Sequence, residues 1–164
     1  MVTDSRIAAF FDLDNTIVPG PAIEYRYFRL LWRQGLVGPM DLVRSAAVLL
    51  RNIPPLSFDP LRRFKAYLAE KPSAAVEASI QNFFWEHVCP RISEQARLAI
   101  EEHRAQGHRL ILLTGSPEFI VAPLATYLKI DQVVAGRLEK TGDTFTGRMI
   151  EPYPYRHGKR QAAE

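Results

Sequence analysis

Two short unbroken apolar runs, at 7–11 and 110–113, stand out from a chain whose other apolar residues recur mostly at helical spacing. The first run predicts a central parallel strand buried on both faces. It stops at Asp12 and Asp14, one residue apart, and the turn-prone Asn15, Thr16 and Pro19-Gly20 follow. The next section reads as helices. Over 22–34, Ile23, Tyr27, Leu30 and Leu31 share one face, and Gly35 ends the pattern. A second helix is expected over 39–52, with Met40, Val43, Ala47 and Leu50 on one face, before Pro54-Pro55. Asp59-Pro60 suits the start of a third, reaching about residue 70. A fourth is expected over 73–88, with Phe83, Phe84 and Trp85 near its end and Pro90 closing it.

A β/α pattern then resumes. Ser93 is placed to cap a helix that runs to residue 106 and stops at Gly107. The run 110–113 predicts a second buried strand, ending in a polar turn, Thr114-Gly115-Ser116-Pro117. Pro117 suits the first turn of a helix reaching about residue 128. Residues 131–134 read as a short third strand. Thr141-Gly142-Asp143, inside 138–150, has the signature of a hairpin. Arg156-His157-Gly158-Lys159 opens a last helical pattern. The order predicts an α/β sheet protein. Its core would be discontinuous, 1–18 with 92–164, and 19–91 would be an inserted helical cap.

The 164 residues carry a formal net charge of +3, too mild to imply a polyanionic partner. The excess is local: residues 19–91 hold ten Lys/Arg against six Asp/Glu. That section can attract an anionic ligand, although a solvated helical surface accounts for the same charges. No basic stripe interleaved with aromatics appears, which argues against nucleic acid. Cys89 is the single cysteine, so an intrachain disulfide is excluded and a reducing compartment fits. Neither a signal-peptide pattern at the start nor an apolar run of membrane-spanning length is seen, and a cytoplasmic location is expected.

The two polar strand ends carry the chemistry. In a parallel sheet with neighbouring strands, Asp12, Asp14 and Thr114-Gly115-Ser116 converge on one edge, where open α/β sheets bind ligands. Thr114 offers a hydroxyl, Gly115 a close backbone approach, and the entry to the following helix its N–H groups. Together these suit phosphate. Lys159 would add a cation. Two carboxylates facing phosphate make sense with Mg²⁺ between them, and Asp12 is then able to attack phosphorus.

Phe10-Phe11-Asp12-Leu13-Asp14-Asn15-Thr16 resembles the first motif of the haloacid dehalogenase superfamily in its phosphatase form. Leu112-Leu113-Thr114-Gly115-Ser116 resembles the second, and Gly158-Lys159 the third. Motif order and the helical insertion are similar to the phosphoserine-phosphatase-like branch, subfamily IB. The resemblance implies a Rossmann-like three-layer core with a C1 cap, and a Mg²⁺-dependent phosphatase acting on a small phosphorylated metabolite. It implies Asp12 as nucleophile and metal ligand. Asp14 would lend its backbone carbonyl to the metal and its side chain to proton transfer. Thr114, Gly115 and Ser116 would bind phosphate, Lys159 would neutralise charge, and Thr16 is a further candidate near the site. An Asp-x-Asp pair also occurs in glycosyltransferases, a reading that leaves Thr114 and Lys159 unexplained.

One departure stands out. The family's fourth motif, an acidic pair on a later strand, is not found by residue 164. The sequence is therefore expected to be part of a longer protein, with weak or no turnover of its own. A phosphate-binding module without catalysis is the alternative expectation. His87, His103, His108 and His157 show no metal-ligand spacing, and Glu24 and Arg26 are expected on an exposed helix face.

Overall fold

Strands β1 (Ala8–Phe11), β2 (Arg109–Pro117), β3 (Gln132–Thr141) and β4 (Thr144–Ile150) form one sheet, ordered β1-β2-β3-β4, in a computed structural model. The structure describes residues 7–52 and 65–150. β1 and β2 run parallel, with Phe11 opposite Leu112, and β2 runs parallel to β3. β3 and β4 are antiparallel, joined through Gly142 and Asp143. Gly142, at φ +57°, supplies the left-handed backbone such a tight hairpin needs.

Leu110, Ile111, Leu112 and Leu113 are all buried, so β2 is covered on both faces, as the centre of a layered α/β core must be. Helices α5 (Glu94–Ala105) and α6 (Glu118–Tyr127) both pack on it. β1 differs from expectation. Ala9 and Phe11 are buried while Ala8 and Phe10 are exposed, so the strand alternates and is covered on one face. It forms the sheet's edge among the described residues, whereas apolar content alone predicted cover on both sides.

Two further boundaries shift. Thr114 to Pro117 continue β2 with an irregular register instead of forming a turn, and α6 begins at Glu118, directly after Pro117. The expected short third strand and the first hairpin arm are one ten-residue strand, β3, which uses one end for β2 and the other for β4. Gly136 lies inside this strand. In the fold the Met149 side chain fills the space its Cβ would occupy, so glycine there serves packing.

The helical section contains α1 (Ile23–Arg33) and α2 (Pro39–Asn52), both close to the pattern-based limits. Ile23, Tyr27 and Leu31 of α1 are fully buried, and burial of each such side chain stabilises the fold by about 1.5–3 kcal/mol. The Tyr27 hydroxyl donates to the Val76 carbonyl, and its ring meets Phe83 and Phe119 edge-on. Asp41 holds α2 in place by accepting from Gly38 N–H and from Lys71 Nζ, each at 2.8 Å.

The expected third helix falls mostly outside the described residues; its visible end is one tight turn, Ala66–Leu68. The expected fourth is broken into α3 (Ser73–Ala78) and α4 (Ile80–Phe83), followed by a widened turn, Phe84–Val88, and a tight one, Cys89–Arg91. The sequence 65–73 is hydrogen-bonded along the β3–β4 hairpin: Lys65 N–H to Gly147 O (2.6 Å), Glu70 N–H to Phe145 O, Ser73 N–H to Asp143 O and Phe145 N–H to Lys71 O. Core residues of the helical section and the sheet belong to one contiguous cluster. No helix among the described residues is long and apolar enough to cross a membrane.

Candidate active site

The register of β1 on β2 decides the site. Asp12 follows Phe11 and Thr114 lies two residues past its partner Leu112, so both leave paired parallel strands at the same carboxyl end. Asp12 is exposed there, and Asp14 is half-buried. The segment between them and α1 folds back on itself. Leu13 O accepts from Ile17 and Val18 N–H at 3.0 Å, and Asn15 N–H donates to Val18 O. Asn15 adopts φ +60°, a left-handed conformation that asparagine tolerates better than most residues. Its side-chain oxygen then accepts from Gly20 N–H at 3.1 Å.

Asp14 is anchored from the next element. Its Oδ1 accepts from the Ile23 N–H at 2.8 Å, at the start of α1, where unsatisfied donors and the helix dipole favour a carboxylate. Burial raises the Asp14 carboxyl above its ordinary value, the Ile23 N–H pulls it back, and the charges of Asp12 and Glu24 push it up again. None of the turn's backbone hydrogen bonds ends on the Asp14 carbonyl. Asp12 carboxylate and Asp14 carbonyl are hard oxygen donors, the kind Mg²⁺ takes when substrate phosphate and water complete its shell. Among the described residues no cluster of three or more His, Cys, Asp or Glu is arranged to hold a metal.

On β2, Thr114 is 2% exposed and accepts from the Ser116 N–H at 3.2 Å, while Gly115 between them is exposed. The pair Thr114 and Ser116 is thus rigid, and the backbone at Gly115 is open to a ligand. Thr16 is exposed in the turn, its N–H donating to Leu13 O at 3.4 Å. Lys159, with His157 and Gly158, lies outside the described residues.

Glu24 contradicts its expected place on an exposed helix face. Its carboxylate receives Lys65 Nζ at 2.6 Å and the Tyr67 hydroxyl at 3.1 Å, with the Lys65 and Glu24 side chains only 10% and 22% exposed. Burial and the Glu24 charge raise the Tyr67 phenol well above its ordinary value, so it stays a donor. The partners lie 41 and 43 residues away in the chain, and no local spacing announces them. Arg26 is half-buried, its Nε donating to Pro21 O at 2.8 Å and its Nη2 to Pro19 O at 2.6 Å.

The chain belongs to the haloacid dehalogenase-like hydrolase family, whose model matches residues 9–164. It is 28% identical over 163 residues to the "Inhibition of morphological differentiation protein" of Streptomyces azureus, covering 96% of this chain and 58% of that one. It is 30% identical over 153 residues to a phosphoserine phosphatase of Mycobacterium tuberculosis, covering 93% of this chain and 34% of the other. The solved structure of a protein of unknown function from Bordetella pertussis Tohama I shares the fold, with a TM-score of 0.79 at 24% identity, covering 97% of this chain and 73% of that one. The chain thus spans little more than half the length of the Streptomyces relative.

Proposed function

We propose that the protein is a phosphomonoesterase working through an aspartyl-phosphate on Asp12, with a small phosphorylated metabolite, of phosphoserine type, as substrate. The observation that carries this reading is the meeting of Asp12 and Thr114 at one strand edge, with Asp14 held beside them by the Ile23 N–H. An Asp12 oxygen attacks phosphorus, the ester P–O bond breaks, and Asp14 gives its proton to the leaving alkoxide. Asp14 then takes a proton from water as that water attacks the same phosphorus, releasing phosphate and restoring Asp12. The raised Asp14 carboxyl suits a group that must hold a proton and return it.

The Thr114 hydroxyl and Gly115 N–H bind phosphoryl oxygens, Ser116 keeps Thr114 oriented, and Thr16 is a further hydroxyl at the mouth. Lys159 is assigned the balancing cation. Mg²⁺ would be held by the Asp12 carboxylate and the Asp14 carbonyl, where it would offset negative charge on the phosphoryl group. Residues 19–91 serve as the cap that limits water and selects the leaving group.

A binding module without turnover is the second reading, favoured by the scarcity of metal-holding side chains among the described residues. Phosphate release from phosphoserine and p-nitrophenyl phosphate, with Mg²⁺ and with chelator, separates the two. Hydrolysis that needs Mg²⁺ and drops at least about a thousandfold in Asp12→Asn is the expected result. Hydrolysis that survives Asp12→Asn overturns the nucleophile. Binding of phosphate analogues without release of phosphate supports the module instead.

A further inference from the structure

α1 presents a row of cations to a cleft outside the Asp12 edge. Arg26, Arg29 and Arg33 recur at i, i+3 and i+7, one helix face. Arg91 and His87, from the irregular turns that follow α4, form the opposite wall. The cavity between them has a volume of about 440 Å³, within the range of small-molecule sites. Pro21, Tyr25 and Leu30 complete the lining, and among the described residues no carboxylate is part of it. Asp12, Asp14 and Thr114 do not line it either.

Four guanidiniums facing one space repel one another, and a merely solvated face would splay them apart. Here they are held. Arg91 donates to the His87 carbonyl at 2.9 Å, and Arg26 is fixed by the carbonyls of Pro19 and Pro21. Burial first, and then the Arg91 charge, hold the Arg26 guanidinium below its ordinary value, against the opposing charge of Asp14. Arg29 and Arg33 make no hydrogen bond or ion pair with any described residue, so their donor forks are free among those residues. Two acids lie near without lining the cleft: Asp14, whose charge acts on Arg26, and Glu86, 3.8 Å from His87 Nε2 with its side chain 68% exposed. The excess of positive charge in residues 19–91 is thus partly gathered into one concavity.

We propose that this cleft is a binding site for a small soluble anion bearing two or more linked phosphate groups, separate from the strand-end edge. Guanidinium forks match phosphate oxygens two at a time, and several forks on opposed walls favour a ligand with several charged groups over inorganic monophosphate. A concave site of this size fits a free small molecule better than the plane of a membrane. The Arg26 contacts place the site against the 19–21 loop, between Asp14 and α1. The inference does not depend on the phosphatase reading.

Calorimetric titration of the full 164-residue chain with inorganic tripolyphosphate, without Mg²⁺, tests it. Affinity is expected to fall at least about tenfold in Arg29→Gln/Arg33→Gln and again in Arg91→Gln, on the other wall. It is expected to stay within about twofold in Asp12→Asn and Thr114→Val, and inorganic monophosphate should bind at least about tenfold more weakly than tripolyphosphate. Circular dichroism confirms that each variant folds. Binding lost in Thr114→Val yet kept in the arginine variants overturns the proposal, because the anion then sits at the strand edge. So does a wild-type chain that ignores tripolyphosphate, or one that binds only vesicles containing phosphatidylglycerol.

Discussion

Asp14 shows how one side chain is set by neighbours from several directions. Its Oδ1 takes the Ile23 N–H, its charge meets those of Asp12 and Glu24, and burial dominates the outcome. The raised carboxyl has a consequence for stability. Between the ordinary value of 3.8 and the raised folded value, the native state binds more protons than the unfolded chain, so stability falls as pH rises through that window. Asp14→Asn keeps an oxygen for Ile23 and removes the charge. Melting temperatures of variant and wild type should nearly coincide at pH 3 and diverge upward for the variant toward pH 7. A variant that is the less stable at pH 7 contradicts this account. The buried pair behind Asp14 makes a second test. Lys65→Met leaves the Glu24 carboxylate without its ion partner and should cost about 2–3 kcal/mol by chemical denaturation. Adding Glu24→Gln should recover part of that loss.

At the level of elements, the periodic helices were legible and the irregular segments were not. The limits of α1 and α2 follow from apolar spacing, although the α2 face that carries Met40, Val43, Ala47 and Leu50 is exposed rather than packed. Ser93, Gly107 and Gly142 mark boundaries that the fold uses; Ser93 Oγ accepts from Ala96 N–H at 3.4 Å. The continuation of β2 through Thr114 to Pro117 was hidden because polar residues and proline read as a turn, while the backbone there pairs with β3 as far as Gly136. β3 was divided because 131–134 and the hairpin run from 138 read as separate segments. Gly136 answers to Met149, a distant residue, and no local rule reveals such a demand. Gly147 in β4 is a similar case with a sharper prediction. It sits at φ +80°, and an added Cβ would lie 3.2 Å from Lys65 O and 3.3 Å from Ala66 Cα, both backbone atoms. Gly147→Ala should destabilise the protein by about 1–3 kcal/mol, read as a lower denaturant midpoint. An unchanged midpoint would mean that the hairpin does not press on the 65–69 segment as described.

For the whole molecule, the candidate site was readable from the sequence as motifs and as strand ends, because both acids and Thr114 stop apolar runs. The one-sided cover of β1 was not, since a strand's own residues do not name what packs against them. The Glu24–Lys65–Tyr67 cluster was invisible for the same reason, its parts being brought together by tertiary folding alone. The bonds between 65–73 and the β3–β4 hairpin carry a dynamic consequence. A motion that lifts this part of the helical section off the sheet must either break four backbone bonds or take the hairpin along. The amides of Lys65, Glu70, Ser73 and Phe145 should therefore exchange with deuterium as one cooperative unit, with similar protection and a shared response to denaturant. Rapid exchange at Lys65, Glu70 and Ser73 beside a protected Phe145 would show that the section opens alone. Joint exchange would make the hairpin and the 65–73 segment a single moving body, hinged where β3 passes from β2 to β4.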